Sequence, residues 1–250
     1  MSESHNEVHA ALESVVSGES AATRRKFVAG AAGAIGSFGL LGLPGSALAK
    51  IGKANDAQTI LNIAATAEVL ATIVNTVGPE KVALDRTTRR NVLDAATEEL
   101  IHYEVLTKTL GAKPATKKIW IPNAVFSSQK ALLETLVVGD GIFVNAYQIG
   151  ITAFGNAGKG TYARYAAEIM GVESVHRALA LQSLGRPGND QAFASGPGRY
   201  FTNITTAVEL LEHAGFGFGK KGKGPGHFYD FDRISHQVVK TREVGARTPH

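Results

Sequence analysis

The sequence predicts an all-α fold in which four long helices form a bundle, followed by an irregular C-terminal extension. Three observations support this prediction. Apolar residues recur at helical spacing in four long segments, and Gly or Pro residues separate these segments. The motif Glu-x-x-His occurs in the second segment and again in the fourth. Few stretches alternate polar and apolar residues, so strands contribute little to the expected fold.

The four predicted helices begin near polar residues that can cap a helix and end near glycines. The first is expected to stop at Gly78, because glycine is the common residue just beyond a helix C-terminus. Capping Asp, Ser or Thr residues precede the second and third helices. The predicted ranges are 56–77, 85–110, 127–154 and 161–184.

The lengths of the connections predict the order and direction of the helices. The links after the first and third helices are short, so each should join two antiparallel helices in a hairpin. Residues 111–127 contain two prolines and no helical periodicity, and an extended chain of this length can run along the whole bundle. The expected topology is up-down-down-up, with one long crossover between the second and third helices.

The first 49 residues resemble an export signal, and they are not expected to be part of the fold. The pair Arg24-Arg25 precedes a Gly-, Ala- and Leu-rich apolar run, a Pro-Gly break and the Ala-x-Ala of residues 47–49. This order predicts a twin-arginine signal that is cleaved after Ala49, which makes the twin-arginine translocase a partner and the periplasm or cell envelope the destination. The alternative is an uncleaved membrane anchor, but the Gly-rich run is a poor membrane span.

Composition excludes several classes of site. The chain has 250 residues and no cysteine, which excludes disulfides, zinc–thiolate sites, iron–sulfur clusters and cysteine nucleophiles. The net charge is +4, and no stripe of Lys and Arg is interleaved with aromatic residues, so no nucleic-acid partner is expected.

The expected domains are a bundle at 50–184 and an extension at 185–250, which holds one short helix and a mobile Gly/Lys-rich tail.

The repeated Glu-x-x-His motif indicates a metal site. Residues at positions i and i+3 lie on the same side of a helix. Glu99 and His102 can therefore ligate one metal ion, and Glu173 and His176 can do the same on the fourth helix. Glu98 and Glu104, in contrast, are expected to lie on a solvated face.

A dinuclear site in a helical bundle also needs one carboxylate from each of the other two helices. Glu68 stands in an otherwise apolar run of the first helix, where a charge is costly unless it is paired or bound to metal. In the third helix the spacing favours Asp140 over Glu134. Glu68 precedes Glu99 by 31 residues, and Asp140 precedes Glu173 by 33, as expected for a duplicated helical hairpin.

These motifs resemble the ferritin-like superfamily, and more narrowly the secreted ferritin-like proteins related to the desiccation-associated group. The matching features are Leu-Asn-Ile-Ala at 61–64 followed by Glu68, the two Glu-x-x-His pairs, and Ala-Tyr at 146–147. The group carries Glu where this chain has Asp140, which is shorter by one methylene. The resemblance covers about 56–184 and does not extend into the tail.

The resemblance implies a carboxylate-bridged pair of iron or manganese ions that performs redox chemistry with O₂ or peroxide in iron handling or oxidative-stress defence. A ferroxidase- or peroxidase-like oxidoreductase activity is one function that the resemblance allows. Tyr103 and Tyr147 are candidates to contact the ligands, although packing in the core is the simpler role for each. The alternative is a metal-free bundle with a structural or desiccation-protective role in the cell envelope. A monomer or homodimer is expected.

Overall fold

The computed structural model of the protein describes residues 55–189 and 201–238. Four long helices make up most of this part. A π-helical turn at Val105–Thr109 continues the second helix. The predicted export signal, with Arg24, Arg25 and the cleavage position after Ala49, lies outside the described residues. The four helices are α1 (Ala57–Lys81), α2 (Arg86–Glu104), α3 (Gln129–Asn156) and α4 (Gly160–Ser183).

Side-chain caps begin three of the long helices. The Asp56 carboxylate accepts hydrogen bonds from the backbone N–H groups of the first turn of α1, and Asp85 does the same for α2. The Ser128 hydroxyl accepts from the N–H of Ala131 at the start of α3. Each cap satisfies N–H groups that have no partner within the helix, so the sequence places these three N-termini correctly.

The bundle consists of two hairpins packed against each other. α1 packs along α2, α3 packs along α4, and contacts of α1 with α3 and of α2 with α4 join the hairpins. The prediction of an all-α four-helix bundle is confirmed. By length and hydropathy alone, α1 and α3 are apolar enough to cross a membrane, but 89% of the apolar window of α1 is buried inside the protein. Burial in the core therefore accounts for its composition.

The first helix ends later than predicted. Gly78 and Pro79 lie inside α1, which continues to Lys81. A Cβ atom on Gly78 would lie 2.8 Å from a methyl group of Leu132, so the glycine allows close approach of α1 and α3. The prediction that Gly78 stops the helix is wrong because this glycine serves helix packing and not a left-handed cap.

A small antiparallel sheet joins the crossover to the C-terminal extension. Its strands are β1 (Lys118–Pro122), β2 (Gly217–Phe218) and β3 (Gly226–Asp230). Their order is β2-β1-β3, with Trp120 opposite both Gly217 and Phe228. A short helix, α5 (Ile204–His213), precedes β2 and packs on α1 and α3, and another, α6 (Phe231–Ile234), follows β3. The expectation of a mobile Gly/Lys-rich tail is wrong for the segment that forms β2 and β3.

Candidate metal centre

Carboxylates and imidazoles from three helices converge inside the bundle. Glu68 comes from α1, the first Glu-x-x-His pair from α2 and the second from α4. The three glutamates have no exposed surface, although ionised groups are seldom buried without a partner. One ligand atom from each of four residues lies within 4.8 Å of the others, and these residues are Glu68, Glu99, His102 and Glu173.

Two carboxylates each face both histidines. Glu99 places Oε2 3.2 Å from Nδ1 of His102 and Oε1 3.2 Å from Nδ1 of His176. Glu173 places Oε1 3.2 Å from Nδ1 of His102 and Oε2 3.7 Å from Nδ1 of His176. The imidazole ring centroids are 6.4 Å apart. Glu99 and Glu173 therefore lie between the two imidazoles, as carboxylates that bridge two cations would.

Glu98 holds the ring of His176. Its Oε2 lies 2.6 Å from Nε2 of His176. A carboxylate can only accept, so Nε2–H donates and Nδ1 is the ring atom that faces the centre. The expectation that Glu98 lies on a solvated face holds only in part, since its side chain is 34% exposed but its carboxylate contacts the buried His176. Glu104 does lie at the surface, where it pairs with Lys108.

Of the two candidate tyrosines, only Tyr147 contacts the centre. Its hydroxyl donates a hydrogen bond to Oε1 of Glu68, and both side chains are buried. Tyr103 instead packs against Phe231 of α6, with ring centroids 4.5 Å apart. It also interacts with Lys117. Tyr103 thus anchors the C-terminal extension and does not contact the ligands.

Asp140 is buried in α3 but lies outside the group of four converging residues. It interacts electrostatically with Glu173, His176 and Arg177. The other candidate in α3, Glu134, forms an ion pair with Lys130 one turn before it. Asp140 thus lies near Glu173 and His176 of α4, whereas the partner described for Glu134 is a lysine of its own helix.

Comparison with protein families identifies this arrangement. The ferritin-like domain matches residues 55–186, which is more than half of the chain. The chain belongs to the ferritin-like domain family. Comparison with curated proteins and with solved structures found no match. The sequence-based assignment to the ferritin-like superfamily is confirmed, and the buried Glu and His cluster of this ferritin-like domain can hold a metal.

Burial and the neighbouring carboxylates shift the pKa values at the Glu68 end of the ferritin-like centre. Burial, together with the charge of Glu99, raises the pKa of Glu68 from its ordinary 4.5 to about 7. Burial lowers the pKa of His102, but its close contacts with the carboxylates of Glu173, Glu68 and Glu99 outweigh burial and hold the pKa well above its ordinary value. Burial and the charge of Glu68 likewise raise the pKa of Tyr147 well above 10.

Burial and neighbouring charges also shift the pKa values at the other end of the cluster, where His176 and Asp140 lie. Burial lowers the pKa of His176, yet the charge of Glu99 and the close carboxylates of Glu173 and Glu98 raise the pKa well above its ordinary value. Burial raises the pKa of Asp140 well above 3.8, and the charge of Glu173 adds to this effect. Without a cation, the cluster thus retains protons that a bound metal would displace.

Unsatisfied atoms show that this donor set suits a metal. Five buried atoms of the cluster lack a hydrogen bond among the described residues, and atoms left in this state are costly. Carboxylate oxygens and neutral imidazole nitrogens are ligands for divalent iron and manganese. A cation would satisfy these atoms together. They are Oε2 of Glu68, Oε1 of Glu99, Oε1 and Oε2 of Glu173, and Nδ1 of His176.

Sequence reasoning overlooked two residues of the centre. Glu98 directly precedes Glu99, and Arg177 directly follows His176. The Glu-x-x-His motifs account for Glu and His ligands alone, so they gave no reason to include these two neighbours. The signal for Arg177 was its position four residues after Glu173, which puts both on one face of α4. Nothing in the sequence alone distinguished Glu98 from a surface glutamate, because its partner lies 78 residues away.

Proposed function

We propose that this ferritin-like protein binds two iron or manganese ions within the bundle and uses them in redox chemistry with O₂ or peroxide. The observation that carries the proposal is the placement of Glu99 and Glu173, each with one oxygen toward His102 and the other toward His176. This is the arrangement that a carboxylate-bridged ion pair requires.

The ligands would divide between the two ends of the cluster. Glu68 and His102 would hold an ion at one end, while His176 and Asp140 would hold an ion at the other. Glu99 and Glu173 would contact both ions. Such a pair supplies one-electron redox steps toward a small oxidant when it is bound.

The surrounding residues fix these ligands before metal arrives. The Tyr147 hydroxyl donates to Oε1 of Glu68, which leaves Oε2 directed at His102. Glu98 keeps Nδ1 of His176 turned toward Glu99. Buried apolar residues surround the three glutamates, which have no exposed surface, so the charge interactions among these side chains remain strong.

The cellular setting is part of the same proposal. The twin-arginine pair and the Ala-x-Ala sequence at 47–49 support export to the periplasm or cell envelope. There the centre would serve iron handling or oxidative-stress defence, in line with the resemblance to the desiccation-associated group. Export of a folded chain would allow the metal to be loaded before translocation.

Metal content of the purified chain tests the proposal. We expect about two iron or manganese ions per chain by inductively coupled plasma mass spectrometry after purification without chelators. The double variant His102→Ala, His176→Ala should lose them, because it removes one imidazole from each end. His227→Ala is the matched control, since this histidine lies at the surface in β3.

The outcome separates the proposal from the metal-free alternative. A chain that retains no iron or manganese after reconstitution, with stability unaffected by either ion, would be a structural or protective bundle. Unchanged metal content in the double variant would place the metal elsewhere. Metal-dependent stabilisation that is lost in the double variant supports the proposed centre, because a ligand bound only by the native state stabilises that state.

A further inference from the structure

A narrow cavity leads from the surface of the bundle to the metal centre. Asp140 and His176 form part of its wall, and Asn91, Leu179 and Ser183 line it while being partly exposed. Its volume of about 20 Å³ is enough for about one water molecule. The cavity therefore joins the centre to the surface through a space that suits a small ion and no larger molecule.

The cavity runs along the helix faces that carry the ligands. On α2, Thr88 and Ala95 line it, and they stand eleven and four residues before Glu99. On α4, Ser183 lines it and stands seven residues after His176. Residues at these spacings share one face of a helix. The ligand faces thus continue as cavity wall toward the end of the bundle where α1 ends and α2 begins.

Polar side chains of three helices line this cavity. Asn75 of α1 is only 2% exposed, and its Nδ2 donates to the carbonyl oxygen of Ala71, so its amide oxygen is the acceptor of the side chain. The Thr88 hydroxyl of α2 donates to the Ser183 hydroxyl of α4 at 3.0 Å. Asn91 adds a second amide nearer the surface. Such oxygens can replace part of the water shell of a divalent cation.

A second cavity, at the Glu68 end of the centre, is unsuited to an ion. It lies between α1, α3 and α5 beside Tyr147, and its wall is mostly apolar. The hydroxyls of Tyr147 and Thr66 in this wall already donate to Glu68 and to the carbonyl oxygen of Asn62. A cation there would lose water without gaining oxygen ligands, which is costly.

We propose that Asn75, Thr88, Asn91 and Ser183 form the route by which divalent cations enter and leave the centre. An ion passes their oxygens one after another and reaches the centre at its Asp140 end. The inference rests on the proposed metal binding and adds to it the path that the ions take.

These four side chains should control the rates of binding and not the affinity. None of them is a ligand of the proposed ion pair, so a substitution changes the barrier that an ion crosses and leaves the energy of the bound ion unchanged. A barrier that is higher for entry is higher by the same amount for exit. Loading and release should therefore slow by the same factor, whereas loss of a ligand changes the Kd.

Stopped-flow kinetics with Mn²⁺ test the inference. The full chain is treated with chelator and mixed with Mn²⁺ in the presence of a fluorescent indicator of the free ion, and release is followed after loaded chain is mixed with excess chelator. Asn75→Leu keeps the size of the side chain and removes its oxygen. We expect this variant to slow both loading and release at least about tenfold, with a Kd within about twofold of the parent value.

Asn91→Leu gives an answer even if Asn75→Leu does not fold, because residue 91 is partly exposed. It should slow loading and release together by about three- to tenfold. Asn145→Leu is the matched control, since this buried asparagine of α3 donates to the carbonyl oxygen of Phe201 and does not line the cavity. Val208→Phe fills the apolar cavity beside Tyr147 from α5. Neither control should change either rate.

Several outcomes would overturn the inference. Unchanged rates in folded Asn75→Leu, or in Asn91→Leu where Asn75→Leu does not fold, would show that ions do not pass these side chains. Slow loading in Val208→Phe would assign the route to the apolar cavity. A weaker Kd with an unchanged loading rate would make Asn75 part of the binding site. A parent chain that takes up neither Mn²⁺ nor iron would instead overturn the proposed function itself.

Discussion

Oε2 of Glu98 accepts a 2.6 Å hydrogen bond from Nε2 of His176, and this contact directs Nδ1 of the same ring toward Glu99. The bond joins α2 to α4 across 78 residues of sequence. It therefore fixes both the tautomer of the imidazole and the distance between two helices that carry the Glu-x-x-His motifs. Carboxylates that hold a ligating histidine in this way set the affinity of many metal sites.

Removal of this carboxylate should weaken metal binding without removing a ligand. We expect Glu98→Ala to lower the affinity for Mn²⁺ by about 10–100-fold, because His176 is then free to rotate. Glu104→Ala is the control, since this exposed residue of α2 pairs only with Lys108 among the partners described. Equal affinities of the two variants in a Mn²⁺ titration would show that metal binding does not depend on the hydrogen bond between Glu98 and the His176 ring.

Loss of the Tyr147 hydroxyl should destabilise the metal-free protein. Tyr147→Phe leaves Oε1 of buried Glu68 without its donor, which should lower the free energy of unfolding by about 1–3 kcal/mol. Tyr162→Phe is the control, because the ring of Tyr162 packs edge-on against Phe154 and stays in place without its hydroxyl. Urea denaturation of the chelator-treated chains measures both. An equal loss of unfolding free energy in both variants would mean that the hydrogen bond to Glu68 does not stabilise the metal-free protein.

Much of the bundle and its ligands could be predicted from the sequence, because both depend on local periodicity. Helical spacing placed the four helices, and capping residues placed the start of three of them. The i, i+3 spacing placed Glu99 beside His102 and Glu173 beside His176. Glu68 was recognisable as a lone charge in an apolar run. These features need only the geometry of a single helix.

The remaining features depend on partners that are distant in the sequence. Gly78 ends no helix because Leu132 packs against it, and Glu98 is part of the centre because His176 lies across the bundle. The sheet was missed because its strands are short and come from the crossover within the bundle sequence and from the extension after it. Trp120 pairs with glycine-rich strands more than 90 residues later, and no local periodicity indicates that pairing.

The glycines of the C-terminal strands provide a test of that sheet. A Cβ atom on Gly226 would lie 2.5 Å from the carbonyl oxygen of Ile121 and 2.8 Å from the ring of Trp120. Gly226→Ala should therefore lower the free energy of unfolding by about 1–3 kcal/mol through overpacking.

Gly171 of α4 provides the matched control. It is exposed, and a Cβ atom there would meet no atom within 4 Å. Gly171→Ala should raise the free energy of unfolding by about 0.5–1 kcal/mol, because alanine loses less backbone entropy than glycine in a helix. Thermal unfolding of both variants checks the signs. A neutral Gly226→Ala would mean that β3 does not lie against Trp120.

The metal-free protein should become less stable as pH rises, and the metal-loaded protein should not. The folded-state pKa of Glu68 is about 7 against 4.5 when unfolded, so the stability present below pH 4.5 is lost between pH 4.5 and about 7. At about 1.4 kcal/mol per pKa unit, this loss is on the order of 3 kcal/mol. The raised pKa of His102 extends the decline above pH 6.5. Bound metal reverses the slope, because it binds the deprotonated ligands and its affinity increases with pH.

Urea denaturation from pH 4.5 to 8.5, with chelator or with excess Mn²⁺, measures both slopes. Glu68→Gln is the control, because a side chain that cannot ionise should make the decline of the metal-free chain between pH 4.5 and 7 shallower. Asp140, whose pKa is also raised, should keep part of that decline, and the part due to His102 should shrink because Glu68 helps to raise the pKa of His102. The same substitution removes a ligand, so the stabilisation by Mn²⁺ should shrink as well. A metal-free chain whose stability rises with pH across this range would mean that the carboxylates and imidazoles do not share a buried cluster. A decline that persists unchanged in Glu68→Gln would instead assign the titration to groups other than Glu68.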